Sequence, residues 1–137
     1  MSHWSDKYIG IPYKWESRDL KVGSDCLRLI EVVLKQEKNY KVEEGDPVGE
    51  DWMKSHPSRL IESAVKRGQI IDDIKELREF DAVFFRMGAK EANHMGIMID
   101  NYGKFLHQLI QRPSRIDRIT ERHWRDNWAC GVRINFG

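Results

Sequence analysis

The stretch "GSDCLRLIEVVLKQ", residues 23–36, places one cysteine directly after Gly-Ser-Asp and directly before an apolar run. Four apolar residues in this run recur at spacings of three and four: Leu27, Ile30, Val33 and Leu34. This spacing predicts a helix with one buried face from Cys26 to about Lys38, and either Ser24 or Asp25 can cap its first turn. Because unpaired N–H groups and the helix dipole favour anions at a helix N-terminus, we expect a thiolate at Cys26.

The rest of the chain changes from helical to strand-like patterns. A second helix is predicted from Pro57 to a stop at Gly68. Four short β-rich runs bounded by turn residues follow: "DAVFFRM", "HMGIMID", "KFLHQLI" and "ACGVRINF". Helices followed by a meander of strands predict an α+β fold, in which an antiparallel sheet packs on the helix that carries the thiol. A length of 137 residues fits a single domain over residues 1–137.

Composition argues against several kinds of partner. The chain has 23 Lys+Arg and 22 Asp+Glu residues, which give a formal net charge of +1. This near-neutral charge does not indicate nucleic acid or an anionic membrane as a binding partner. The stretch "RPSRIDRITERHWR" mixes both charges and is predicted to be a solvated surface. The start "MSHWSDKYIG" lacks the order of a signal peptide, which predicts a cytoplasmic protein as synthesised. Cys26 and Cys130 have neither disulfide-framework nor metal-ligand spacing, so no metal or cofactor is predicted.

Two of the five histidines stand out as candidate bases for the thiol. His94 and His107 lie in strand-like runs on either side of the turn "DNYG". In a hairpin with a two-residue loop, opposed residues have numbers with an odd sum, as 94 and 107 have, so both imidazoles are predicted on one face. A turn centred near Asp100 and Asn101 would place them side by side. Cys26, His94 and His107 would then form a nucleophile, a base and an orienting group.

The same residues allow other interpretations. Cys26 can be a buried thiol, with both histidines as satisfied residues of the core. One thiolate and two imidazoles also suit Zn²⁺, although their spacing lacks a tight ligand pair. Residue spacing alone leaves these alternatives open.

The order of "GIPYKW", "SDCLRLIEVV", "FDAVFFRM", "HMGIMID" and "KFLHQ" resembles the NlpC-type cysteine peptidases, which cut bacterial cell-wall peptides. The resemblance runs from about Tyr8 to Ile134. It implies a papain-like fold, no cofactor, and hydrolysis of peptidoglycan peptide bonds through a thioester acyl-enzyme. It also implies that Cys26 is the nucleophile, His94 the base and His107 the third member of a triad.

Further residues of the resembled pattern concern substrate binding. Asp25 would grip a substrate amine, and Tyr13 would line the site through its hydroxyl. Arg28 stands where the family has a small residue, so it either points outward or reshapes the cleft. Trp15, like Trp52, either lines the cleft or belongs to the core.

The stretch "GEDWMKSHPSRLIESAVKRG" and the Asp-Cys-Leu order resemble the branch of that family found in phage tails and gene-transfer particles. This resemblance implies phage-tail proteins as partners and delivery to the cell wall by injection. A catalytically silent tail-tip module with the same fold is an alternative. A transferase or amidase that uses the same thioester is another.

Overall fold

The described chain is built around one antiparallel sheet and one long helix. The computed structural model describes residues 3–15, 17–42 and 65–137. Its strands are β1 (Gly68–Ile71), β2 (Ala82–Phe85), β3 (His94–Met98), β4 (Lys104–His107), β5 (Arg115–Arg118) and β6 (Trp128–Ile134). Its helices are α1 (Cys26–Lys38), α2 (Arg122–Asp126) and two short 3₁₀ helices, Trp4–Tyr8 and Ile74–Glu76. The strand order is β1-β6-β2-β3-β4-β5, and every neighbouring pair is antiparallel, which confirms the predicted α+β fold.

Helix α1 begins and ends where its sequence predicts. The Asp25 carboxylate accepts the backbone N–H of Arg28 at 2.9 Å and so caps the first turn. At the other end, Asn39 adopts a left-handed conformation with φ 50, which stops the helix after Lys38. The buried face consists of Leu29, Ile30, Val32, Val33 and Leu34. This face packs on β3 and β4 and thereby fixes the helix N-terminus against the sheet.

Apolar side chains cover both faces of the sheet. Beneath α1 the core includes Phe84, Met95, Ile97, Leu106 and Val132. A second cluster on the opposite face includes Val83, Phe85, Met98, Phe105 and the α2 residue Trp124. Strands β2 and β3 are therefore buried at every position, which explains their continuous apolar sequences.

Two strands and one helix were not foreseen from the sequence. The predicted solvated stretch contains β5 and α2, and it buries Asp117 and Trp124. Gly68, predicted to end a helix, is the first residue of β1, and a turn at residues 66–67 separates it from Val65, which is helical. Residues 57–64 of that predicted helix and the tryptophan Trp52 lie outside the described residues. Within the described residues, no helix is long and apolar enough to span a membrane.

In the resembled NlpC-type pattern a glycine usually precedes Asp81, and in this chain Phe80 stands at that position. Its φ of 71 lies in the left-handed region, an unusual conformation for a bulky residue. The ring stacks on Trp4 with 4.5 Å between ring centroids, and Lys38 Nζ lies 4.3 Å from its centre. These contacts offset the backbone strain that glycine would avoid.

The pairing of β3 with β4 places Gly96 opposite His107. The predicted odd sum of paired residue numbers is confirmed, but the turn is centred one position later than predicted, because Met98 pairs with Phe105. A Cβ atom at Gly96 would lie 2.8 Å from the Leu106 carbonyl oxygen and 3.1 Å from His107 Cβ. Glycine therefore permits the close approach of the two strands.

We expect Gly96→Ala to lower the free energy of unfolding by about 1–3 kcal/mol, because the new methyl group must push β4 away from β3. Urea denaturation measures this change directly. An unfolding free energy equal to that of the native protein would show that the strands can separate without cost.

Candidate active site

The start of α1 lies beside the start of β3. Cys26 is partly buried, and its sulfur lies close enough to the backbone N–H groups of Met95 and Leu27 for these donors to lower its pKa. Met95 directly follows His94, the first residue of β3. The fold therefore brings the thiol to the strand that carries the predicted base.

His94 and His107 form a direct hydrogen bond inside the sheet. His94 Nε2 lies 2.8 Å from His107 Nδ1, and both residues are buried. Trp124 of α2 packs edge-on against the His107 ring at a centroid distance of 4.7 Å and also contacts the His94 ring. These contacts fix the positions of the two imidazoles. Both rings lie on the same face of the sheet, as the sequence predicts.

A carboxylate that the sequence interpretation missed lies behind His107. His107 Nε2 lies 2.6 Å from Asp117 Oδ2, and Arg115 donates to Asp117 Oδ1 at 2.7 Å. The only local signal is an acid between two arginines in the short run "RIDR". That signal does not give the pairing of β5 with β4, and this pairing is what brings Asp117 to His107.

Burial keeps the thiol and the imidazoles neutral. It raises the pKa of Cys26 to about 12, with a further increase from the negative charge of Asp25. The N–H groups of Met95 and Leu27 and the Arg28 charge lower this pKa by less than burial raises it. Burial therefore opposes the thiolate expected at the helix N-terminus.

The histidines shift in the direction that burial dictates. Burial, followed by the neighbouring His107, lowers the pKa of His94 to about 3. Burial also lowers the pKa of His107, although the Asp117 carboxylate acts in the opposite direction. These pKa shifts all favour a neutral thiol and neutral imidazoles at neutral pH.

The predicted substrate-binding residues surround the mouth of α1. Arg28 does not point outward: its side chain is 14% exposed, with Nη1 3.8 Å from Asp25 Oδ2. Its guanidinium carbon lies 5.5 Å from the centre of the Trp15 ring. Tyr13 is partly buried and forms a parallel β-bridge with Ser24, two residues before Cys26.

Buried polar side chains fasten the segment around Tyr13 to the sheet. Gln108 accepts a hydrogen bond from the Ser24 hydroxyl and donates to the Ile11 carbonyl oxygen at 2.8 Å. The Ser114 hydroxyl accepts the Ile11 N–H at 2.8 Å. The sequence interpretation did not single out Gln108 or Ser114, because the contacts they make are more than eighty residues away along the chain.

The zinc alternative gains no support from this arrangement. Across residues 3–15, 17–42 and 65–137, no group of three or more His, Cys, Asp and Glu side chains is placed to hold a metal ion. The hydrogen bond between His94 Nε2 and His107 Nδ1 and that between His107 Nε2 and Asp117 also engage three of the four ring nitrogens.

The chain is similar to a known family in sequence and in structure. A family model described as NlpC/P60 matches residues 10–133. The NlpC/p60 domain of the peptidoglycan hydrolase SagA is 19% identical, with a TM-score of 0.64, over 93% of this chain and 91% of that domain. No curated protein sequence matches.

Two longer proteins have the same fold. One, described as similar to a lipoprotein of the NLP/P60 family, is from Staphylococcus aureus and is 19% identical with a TM-score of 0.65. The other, an NlpC/P60 family protein from Bacillus cereus, is 20% identical with a TM-score of 0.65. Each match covers 93% of this chain but only 38% and 36% of the longer proteins.

The neutral state of His94 predicts acid-dependent loss of stability. Its pKa is about 3 in the folded protein and about 6.5 in an unfolded chain, so between these values the unfolded chain binds a proton that the folded protein does not. The free energy of unfolding therefore falls as pH falls through this range. We expect His94→Gln to lose less stability than the native protein between about pH 7 and about pH 5 in urea denaturation. The exposed His123, replaced in the same way, is the matched control, and an equal acid loss in both variants would contradict the assignment.

The raised pKa of Cys26 predicts slow alkylation by iodoacetamide at neutral pH. The rate should rise toward alkaline pH without a plateau below about pH 9, because thiolate is the reacting form. A Cys130→Ala background removes the second thiol. A rate plateau below pH 7 would instead indicate the thiolate expected from the helix N-terminus.

Proposed function

Because the chain belongs to the NlpC/P60 family, we propose that it is a cysteine peptidase that hydrolyses peptide bonds of bacterial peptidoglycan. The observation that carries the proposal is the buried hydrogen bond between His94 and His107, because His94 directly precedes Met95, whose backbone N–H lies near the sulfur of Cys26. A domain of a peptidoglycan hydrolase with the same fold over 91% of its length supports the choice of substrate.

In the proposed reaction, Cys26 attacks a peptide carbonyl carbon while His94 removes the thiol proton. Since thiol and imidazole are both neutral beforehand, proton transfer accompanies the formation of the carbon–sulfur bond. His107 hydrogen-bonds to the developing imidazolium of His94 and stabilises it. The backbone N–H of Cys26, at the first position of α1, is the proposed donor to the tetrahedral oxyanion.

The second half of the reaction uses the same groups. The carbon–nitrogen bond breaks, and the departing amine takes the proton from His94, leaving a thioester on Cys26. Neutral His94 then removes a proton from water, which attacks the thioester carbonyl. The carboxylic acid product leaves, and the thiol recovers its proton from His94.

We assign substrate contacts to the residues around the start of α1. Arg28 and Trp15 form one wall of the proposed cleft, and Tyr13 lies on the segment next to it. Asp25 already caps α1 and has Arg28 as a charged neighbour, so a substrate amine would have to share its carboxylate. Arg28 therefore changes the charge that a substrate amine meets there.

Several finer expectations remain proposals. Transfer of the acyl group to an amine instead of water would use the same thioester. Association with a phage tail or related particle, and a single domain over residues 1–137, also remain predictions from the sequence.

The proposal predicts that Cys26→Ala abolishes release of soluble peptides from purified peptidoglycan, as followed by chromatography. Removing one partly buried sulfur should change the unfolding temperature little. Cys130→Ala is the matched control, because it removes the other thiol from β6, which pairs with β1 and β2 and not with the histidine strands, and it should retain the native rate. Native peptide release by Cys26→Ala would refute a cysteine peptidase mechanism.

A further inference from the structure

Asp117 lies behind His107, at the end of the hydrogen-bonded series His94, His107 and Asp117. It is 8% exposed and receives two hydrogen bonds on different oxygens, from His107 at 2.6 Å and from Arg115 at 2.7 Å. The pairing of β4 with β5 sets Arg115 directly opposite His107 and places Asp117 diagonally across from it. The carboxylate position is therefore fixed by the sheet and by a second donor, and not by His107 alone.

The chemistry of a carboxylate determines which ring nitrogen carries each proton. An ionised carboxylate only accepts hydrogen bonds, so His107 Nε2 must carry a proton. A neutral imidazole has one N–H, and burial keeps His107 neutral, so its Nδ1 is bare and accepts from His94 Nε2. Neutral His94 then carries its proton on Nε2, which leaves its Nδ1 bare.

We propose that Asp117 is a positioning residue that sets the tautomers of both His107 and His94, and that Arg115 fixes the orientation in which it does so. The bare Nδ1 of His94 is then the atom that can accept the thiol proton of Cys26. This inference rests on the proposed cysteine peptidase function only for its catalytic consequence, since the tautomers themselves exist without substrate.

Arg115 can only donate hydrogen bonds, so the atom of residue 117 that faces it must be an acceptor. In Asp117→Asn, Arg115 would bind the amide oxygen, and the amide NH₂ would face His107 Nε2. That nitrogen would become an acceptor, so the His107 proton would move to Nδ1. His94 would in turn accept at Nε2 and carry its proton on Nδ1, where it cannot take a proton from the thiol.

The first experiment measures tautomers directly in the intact protein. Nitrogen-15 NMR of histidine-labelled protein distinguishes protonated from bare ring nitrogens. We expect protons on Nε2 of both histidines in the native protein and on Nδ1 of both in Asp117→Asn. Protons on Nδ1 in the native protein, or unchanged tautomers in the variant, would overturn the proposal whatever the protein's activity.

The second experiment measures hydrolysis of a soluble peptidoglycan peptide. We expect Asp117→Asn to lower kcat by on the order of 10³–10⁴-fold with little change in KM, because a wrong tautomer removes the base without altering substrate contacts. The double variant Asp117→Asn with Arg115→Met should have a kcat at least about tenfold higher than Asp117→Asn alone. Without Arg115, the amide can rotate and present its oxygen to His107. A double variant no better than Asp117→Asn would overturn the role of Arg115.

A matched control separates this effect from the loss of any buried carboxylate. Asp81 is also buried and receives two hydrogen bonds from Arg133, but it precedes β2 at the end of the strand pair away from His94. Asp81→Asn should lower the unfolding temperature while kcat and both tautomers stay native. An equal loss of kcat in Asp81→Asn would overturn the proposal. Native tautomers in a protein without any hydrolytic activity would instead contradict the proposed function alone.

Discussion

The hydrogen bond between His94 and His107 constrains the rest of the structure. Both rings are buried, and three of their four nitrogens have a protein partner in place of water. The bond exists only when β3 and β4 pair in one register, and that register requires the close approach that Gly96 permits. A shift by one residue would turn one histidine to the other face of the sheet. The hydrogen bond between the two histidines therefore depends on the register in which β3 pairs with β4.

The same burial determines the protonation of the site. It opposes charge on the Cys26 sulfur and on the His94 ring, so the neutral pair is favoured before substrate binds. A neutral thiol is a weaker nucleophile than a thiolate, but it is also less susceptible to oxidation. In the proposed reaction, charge would develop only during attack, and His107 and the backbone N–H at the start of α1 would stabilise it.

Local patterns predicted those parts of the fold that depend on neighbouring residues. The spacing of apolar residues and a capping residue predicted helix α1 from Cys26 to Lys38. The alternation of side chains along two paired strands predicted that both histidines lie on one face of the sheet. Sequence could not predict Asp117, because its contact with His107 depends on the pairing of β5 with β4. The helix N-terminus predicted a lowered pKa for Cys26, whereas burial raises it. The helix N-terminus is visible in the local sequence, but burial depends on the whole fold.

Two departures from the resembled pattern have different consequences. Phe80 adopts a strained backbone but stacks on Trp4, on the surface where Lys38 also lies, so its effect is on packing. Arg28 lies between Asp25 and Trp15 at the mouth of α1, so its effect is on charge where a substrate would enter. The two histidines to which we assign proton transfer lie in the sheet, on β3 and β4. Substrate selection at the N-terminus of α1 could therefore change without altering the hydrogen bond on which the proposed reaction depends.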